Sequence, residues 1–137
     1  ASLHALSGLI LKAMPYEEGH TGSDTSAEQA VALGRGVCQD HSHVFLAAAR
    51  HLGIPARYVS GYLLIDGVTD QSASHAWVEA HVDGLGWIGF DVSNGISPDN
   101  RYIRVATGFD YSDAAPITGL SYGARDESMV VSLRVEQ

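Results

Sequence analysis

The period of the apolar residues changes at Gly53-Ile54-Pro55, and no other feature constrains the fold as strongly. Upstream they recur at helical spacing. Leu3, Leu6, Leu9, Ile10 and Ala13 predict an amphipathic helix over 2–14, ended before Pro15 because a residue preceding proline is disfavoured in the α region. The stretch YEEGHTGSD is a loop by composition. Thr25, with Glu28 three residues on, then predicts a capped helix that Gly34 stops. The run CQDHSHVFLAAARHLG predicts a longer helix, with Phe45, Ala49 and Leu52 on one side and Gly53 as its stop. Downstream, ARYVSGYLLI is β-branched and aromatic, SHAWVEAHV alternates outside and inside, and GWIGFDV follows a short DGLG turn. These read as antiparallel strands, the last two forming a hairpin. A loop-rich stretch, SNGISPDNRYIRVATGFDYSDAAPITG, leads to a final strand in ESMVVSLRV. Helices first and an antiparallel sheet second make an α+β layout.

With 137 residues the chain is expected to form one domain, long enough to bury roughly 70% of its unfolded surface. It holds one cysteine, so no internal disulfide is possible, and a reducing, cytoplasmic location is expected. A net charge of −8 leaves no large basic footprint for nucleic acid or an anionic membrane. No apolar run reaches the roughly 18–20 residues that span a bilayer. The chain starts without Met inside a predicted helix and with no basic leader, which suggests a domain of a longer protein.

Cys38 is an inert core filler, a metal ligand or a nucleophile. Cysteine commonly serves as a small buried hydrophobe. Here Gly34 and Gly36 precede it, and it falls at the first turn of the long helix. Unpaired N–H groups and the positive end of the helix dipole favour an anion there, and a thiolate is the reactive form. The same N–H groups can form part of an oxyanion hole. A thiolate doing acyl transfer needs a proton partner, and that partner needs an orienting group. His75 opens the strand HAWVEAHV, and His81 shares its face by parity. In a hairpin turning about Gly84, His75 falls opposite Ser93 and beside Asp91, within diagonal reach of a His–carboxylate hydrogen bond. That bond would fix the imidazole tautomer and favour its protonated form.

The segments GVCQDHSHVFLAAARHLGIPARYVSGYL, SHAWVEAHVDGLGWIGFDVSNG and NRYIRVATGFDYSDAAPITG closely resemble the transglutaminase-like superfamily, in its bacterial branch of cysteine-protease-like proteins. The resemblance runs from Tyr16 onward, with its blocks in the family's order. It implies a papain-like α+β core with the nucleophile at a helix N-terminus, Cys38 as nucleophile, His75 as general base and acid, and Asp91 as its orienting carboxylate. It also implies a peptide, protein or small amide substrate and no cofactor. Three departures stand out. DVSNG replaces the common D-P-T-N-G, and Phe109 replaces an arginine in G-R-D-Y. No tryptophan precedes Cys38 to stabilise an oxyanion, which leaves Tyr16 or the Gln39 amide as the second donor.

Other residues near the motif have plainer roles to weigh. Asp40 is a helix-dipole carboxylate or a substrate contact. Trp77 and Trp87 are core or site-wall aromatics. Arg57 holds local structure. Tyr62 and Asn94 are candidates to line the cleft beside Cys38, and DYSDAAP is a candidate rim loop. His41 and His43 complete a C-x-x-H-x-H pattern, but residue 43 is rotated away from the face shared by 38 and 41, so no metal site is expected. Two rival classes remain: a non-catalytic binding module on the same fold, and a metal-dependent hydrolase built from His41, His43, His75 and His81.

Overall fold

A computed structural model describes residues 2–64, 70–71, 74–114 and 133–134. Helix α1, Ser2–Ala13, buries Leu3 and Ile10 and ends at the buried Met14 before Pro15. At the start of α2, Ala27–Leu33, two adjacent hydroxyls compete for the cap. Ser26 takes it, not Thr25: its Oγ accepts from the Gln29 N–H at 3.1 Å, and Gln29 Oε1 accepts from the Ser26 N–H at 2.9 Å. The Thr25 hydroxyl instead accepts from the Gly22 N–H at 2.8 Å. The expected Thr25/Glu28 box is therefore displaced by one residue, with the Thr25 hydroxyl already taken by the Gly22 N–H of the preceding turn. Gly34 ends α2 as expected.

Helix α3, Cys38–His51, buries Phe45 and Ala49. Leu52 departs from the expected stripe and is 64% exposed. It is the C-cap, where the chain leaves the helical path and periodicity no longer sets its direction.

The remaining elements are β1 (Ala56–Leu63), β2 (Asp70–Gln71), β3 (His75–Val82), β4 (Gly86–Phe90), β5 (Tyr102–Gly108), α4 (Tyr111–Ala114) and β6 (Leu133–Arg134). The main sheet runs β4-β3-β1-β5, antiparallel throughout. A second pair joins β2 and β6. Of the expected final strand only Leu133–Arg134 fall within the described residues, and of DYSDAAP only residues 110–114 do. The β3–β4 hairpin has the expected register, with Val78 opposite Phe90 and Ala80 opposite Ile88.

β5 corrects the sequence reading, which placed these residues in a loop-rich stretch. It is an edge strand with Ile103, Arg104 and Val105 exposed, so it lacks the half-buried alternation that marks a strand in sequence. Its approach to β1 demands Gly61. A Cβ there would lie 1.9 Å from the Ile103 carbonyl oxygen and 2.9 Å from the Trp77 ring, at the irregularity between Ser60 and Gly61. Glycine alone allows that contact.

α3 lies on the sheet. Phe45, Leu46 and Ala49 join Met14, Ala76, Val78, Ala80 and Phe90 in one core, with the Phe45 and Phe90 rings stacked at 5.4 Å. Burying side chains of this size contributes about 1.5–3 kcal/mol each. The opposite face of β3 is covered too. Trp77 is buried against Tyr102, with ring centroids 5.1 Å apart, so β3 does not alternate cleanly as its sequence suggests. On that face Glu79 pairs with Arg57 at 2.8 Å and Arg104 at 3.0 Å, and the Arg57 guanidinium lies 4.0 Å over the Trp87 ring. Arg57 thus holds local structure. Among the described residues, no helix is long and apolar enough to cross a membrane.

Candidate active site

The start of α3 is built around Asp40. Its Oδ2 accepts the Val37 N–H at 2.9 Å and the Thr21 hydroxyl at 2.5 Å, and its side chain is 1% exposed. Gly36 leaves room for it, since a Cβ there would meet Asp40 Cβ at 2.7 Å. Asp40 therefore caps the helix and ties it to the 16–24 loop. The same loop is stitched on by the Glu17 N–H donating to the Gly36 carbonyl at 2.9 Å. The Gln39 side-chain amide donates to the Gly22 and Ser23 carbonyls at 3.3 and 3.1 Å, which ties it to the loop. Cys38, the first residue of α3, is partly exposed. Helix geometry gives its N–H no intrahelical acceptor.

β3 carries His75 to the same place. His75 Nε2 donates to Asp91 Oδ2 at 2.7 Å, and the Cys38 thiol lies within hydrogen-bonding reach of the ring. With Nε2 engaged, Nδ1 is the nitrogen left for sulfur. Burial alone would lower the His75 pKa, but the hydrogen bonds and charges of Asp91 and Cys38 outweigh it and raise it to about 10. Asp91 sits at the end of β4 and is fully buried. Burial acts to raise its pKa; bonds and charge from His75, with donors on Asn94 and Tyr102, overcome this and hold it below the usual carboxylate range. The hairpin register predicted from sequence is what brings His75 and Asp91 together.

Asn94 and Tyr102 complete the surroundings of Asp91. Asn94 Nδ2 donates to Oδ2 at 2.8 Å and its N–H to Oδ1 at 3.3 Å, so Asn94 orients the carboxylate. The Tyr102 hydroxyl donates to Oδ2 at 2.6 Å. Sequence reading missed Tyr102, because the β5–β1 register that delivers it is not visible locally. Trp77 forms a wall, its ring 6.1 Å from His75. Tyr62 is buried on β1 opposite Ile103. Tyr16 bridges to Gly36 and is 48% exposed. Its pKa is pushed up first by partial burial and then by the charges of Cys38 and Glu18.

The histidines of the metal alternative part company. His41 bonds Ser93 and the Met14 carbonyl, His43 Nε2 accepts the Tyr111 N–H at 3.2 Å, and His81 packs edge-on against Trp87. Each is engaged in a different part of the fold.

Known proteins place this geometry in context. Residues 1–92 match the transglutaminase-like superfamily, and the chain belongs to that superfamily. It is 40% identical over 127 residues to the uncharacterized protein ML0607 of Mycobacterium leprae, covering 88% of this chain and 45% of that protein. It is 32% identical over 144 residues to the uncharacterized protein Rv2569c of Mycobacterium tuberculosis, covering 98% of this chain and 46% of the relative. The chain thus spans less than half the length of these relatives. Among solved structures it is similar to a "Putative Cysteine Protease" from Cytophaga hutchinsonii, with 37% identity, a TM-score of 0.72, and coverage of 82% of this chain and 37% of the other. LapG of Legionella pneumophila shares the fold at 14% identity and a TM-score of 0.62, over 91% of this chain and 74% of LapG.

Proposed function

We propose that this domain is a thiol-dependent amide hydrolase or acyl transferase, with Cys38 as nucleophile, His75 as general base and acid, and Asp91 as the carboxylate that orients it. The observation that carries this reading is the position of His75, bonded through Nε2 to Asp91 at 2.7 Å with the Cys38 thiol in reach of the same ring. The family and the Cytophaga hutchinsonii structure support it.

The Cys38 sulfur attacks the carbonyl carbon of a peptide, protein or small amide. The S–C bond forms and the carbonyl electrons move to oxygen. That oxyanion rests on the Cys38 N–H and the Tyr16 hydroxyl. His75 then passes its proton to the departing nitrogen as the C–N bond breaks, leaving a thioester. Water, deprotonated by His75, completes hydrolysis; an amine in its place completes transfer. The triad needs no cofactor. A single free thiol suits a reducing compartment such as the cytoplasm.

The test is a panel of peptides carrying a fluorogenic amine leaving group, with a second arm that follows incorporation of dansylcadaverine. Cys38→Ala is expected to abolish turnover in whichever arm is active. Tyr16→Phe is expected to lower kcat by about 10- to 100-fold while leaving Cys38 alkylation by iodoacetamide unchanged, because alkylation forms no oxyanion. Turnover that survives in Cys38→Ala would end the thiol mechanism. Turnover intact in Tyr16→Phe would remove Tyr16 from it.

A further inference from the structure

His41 takes no part in the chemistry above, yet it is fully buried between the parts that do. Its Nε2 lies 2.6 Å from the Met14 carbonyl oxygen, and its Nδ1 lies 2.7 Å from the Ser93 hydroxyl. A carbonyl only accepts, so Nε2 carries the proton, and Nδ1 must accept from the Ser93 O–H. Burial, the largest influence, keeps the ring's pKa below its ordinary value and so favours this neutral form.

The two bonds join three segments. His41 sits three residues after Cys38 on α3. Ser93 lies two residues after Asp91, in the turn that the Asp91–Ile96 bridge closes. Met14 ends α1 two residues before Tyr16, whose ring is 6.1 Å from that of His41. Nucleophile, orienting carboxylate and the second oxyanion donor of the proposed mechanism each lie within three residues of one of these contacts.

We infer that His41 is a positioning residue, which clamps the helix of Cys38 to the turn of Asp91 through the Ser93 hydroxyl and to the segment that leads into Tyr16 through the Met14 carbonyl. The inference rests on the triad proposed above. Sequence spacing hides it, because 52 residues separate His41 from Ser93. A clamp of this kind matters because a displacement of about 1 Å at reacting groups can reduce rate by about 100-fold.

The experiment measures the second-order rate of Cys38 alkylation by iodoacetamide near neutral pH, with the thermal midpoint of each protein recorded alongside. Ser93→Ala removes the donor at a partly exposed position. It is expected to remain folded and to slow alkylation by about tenfold. Ser93→Thr keeps the hydroxyl and is expected to restore the native rate, which a simple packing role would not require. His41→Phe, which keeps a ring without the bonds, is expected to slow alkylation as well; should it fail to fold, the serine pair decides. Native rates in Ser93→Ala, or equal slowing in Ser93→Thr, would overturn the clamp. His75→Ala separates the two levels: if it slows alkylation while Ser93→Ala does not, the clamp alone fails, and if it does not, the triad fails and the clamp with it.

Discussion

Asp91→Ala is expected to lower the free energy of unfolding by about 3–5 kcal/mol, the range for removing one partner of a buried charged pair. The substitution strands three donors that now converge on one oxygen: His75 Nε2 at 2.7 Å, Tyr102 Oη at 2.6 Å and Asn94 Nδ2 at 2.8 Å. Little of that loss can be recovered by solvent, because Asp91 is fully buried and the His75 side chain is only 16% exposed. Asp91→Asn keeps the volume and one acceptor, so it should lose less, although its amide N–H₂ cannot replace the accepting carboxylate for all three. Urea unfolding of both variants checks this. A loss below about 1 kcal/mol for Asp91→Ala would mean that the site does not depend on this carboxylate for its assembly.

Stability is expected to fall steeply as the pH rises above neutrality, through His75. Its pKa in the folded chain is raised to about 10, against about 6.5 in an unfolded chain. A group with a raised folded pKa stabilises fully below its unfolded value, and that contribution is lost as the pH rises through the folded one. Between these limits the native state holds one more proton than the unfolded state. The free energy of unfolding should then decrease by about 1.4 kcal/mol per pH unit, to a total on the order of 5 kcal/mol. Asp91 works in the other direction. Its folded pKa is lowered, so its contribution is present above about pH 4 and is lost as the pH falls through the folded value. The pair therefore predicts greatest stability between about pH 4 and 6.5. Urea midpoints across pH should show this alkaline decline in the native chain and a much shallower one in His75→Ala. Parallel curves for the two would contradict the assignment of the raised pKa to His75.

Much of the site is legible in the sequence because it depends on short-range rules. Cys38 starts a helix because a glycine-rich approach precedes an alanine- and leucine-rich run, and α3 begins there. His75 reaches Asp91 because a tight hairpin fixes register, and one turn position suffices to predict it. What escapes the sequence depends on long-range placement. Tyr102 reaches Asp91 only because β5 pairs with β1 through an irregularity at Gly61, and an exposed edge strand carries little periodic signal. The loop that takes up the Gln39 amide is held by the Tyr16–Gly36 bridge, which no local pattern encodes. Asn94 is an intermediate case. A side chain three residues after an aspartate can fold back on it, as Asn94 does here, but the same residue also reads as a cleft lining. Thr25 and Ser26 show a limit of another kind: two capping hydroxyls side by side, each with a suitable partner three positions on, and the preceding turn that engages Thr25 decides between them.

The most direct test of the proposed triad is the pH profile of Cys38 alkylation by iodoacetamide in the native chain and in His75→Ala. The account predicts that the native thiol reacts faster than that of His75→Ala at every pH where the imidazolium is charged, because His75 then holds the sulfur as thiolate. Identical profiles for the two folded proteins, both following an ordinary thiol, would contradict it and leave Cys38 as part of a core or of a binding surface.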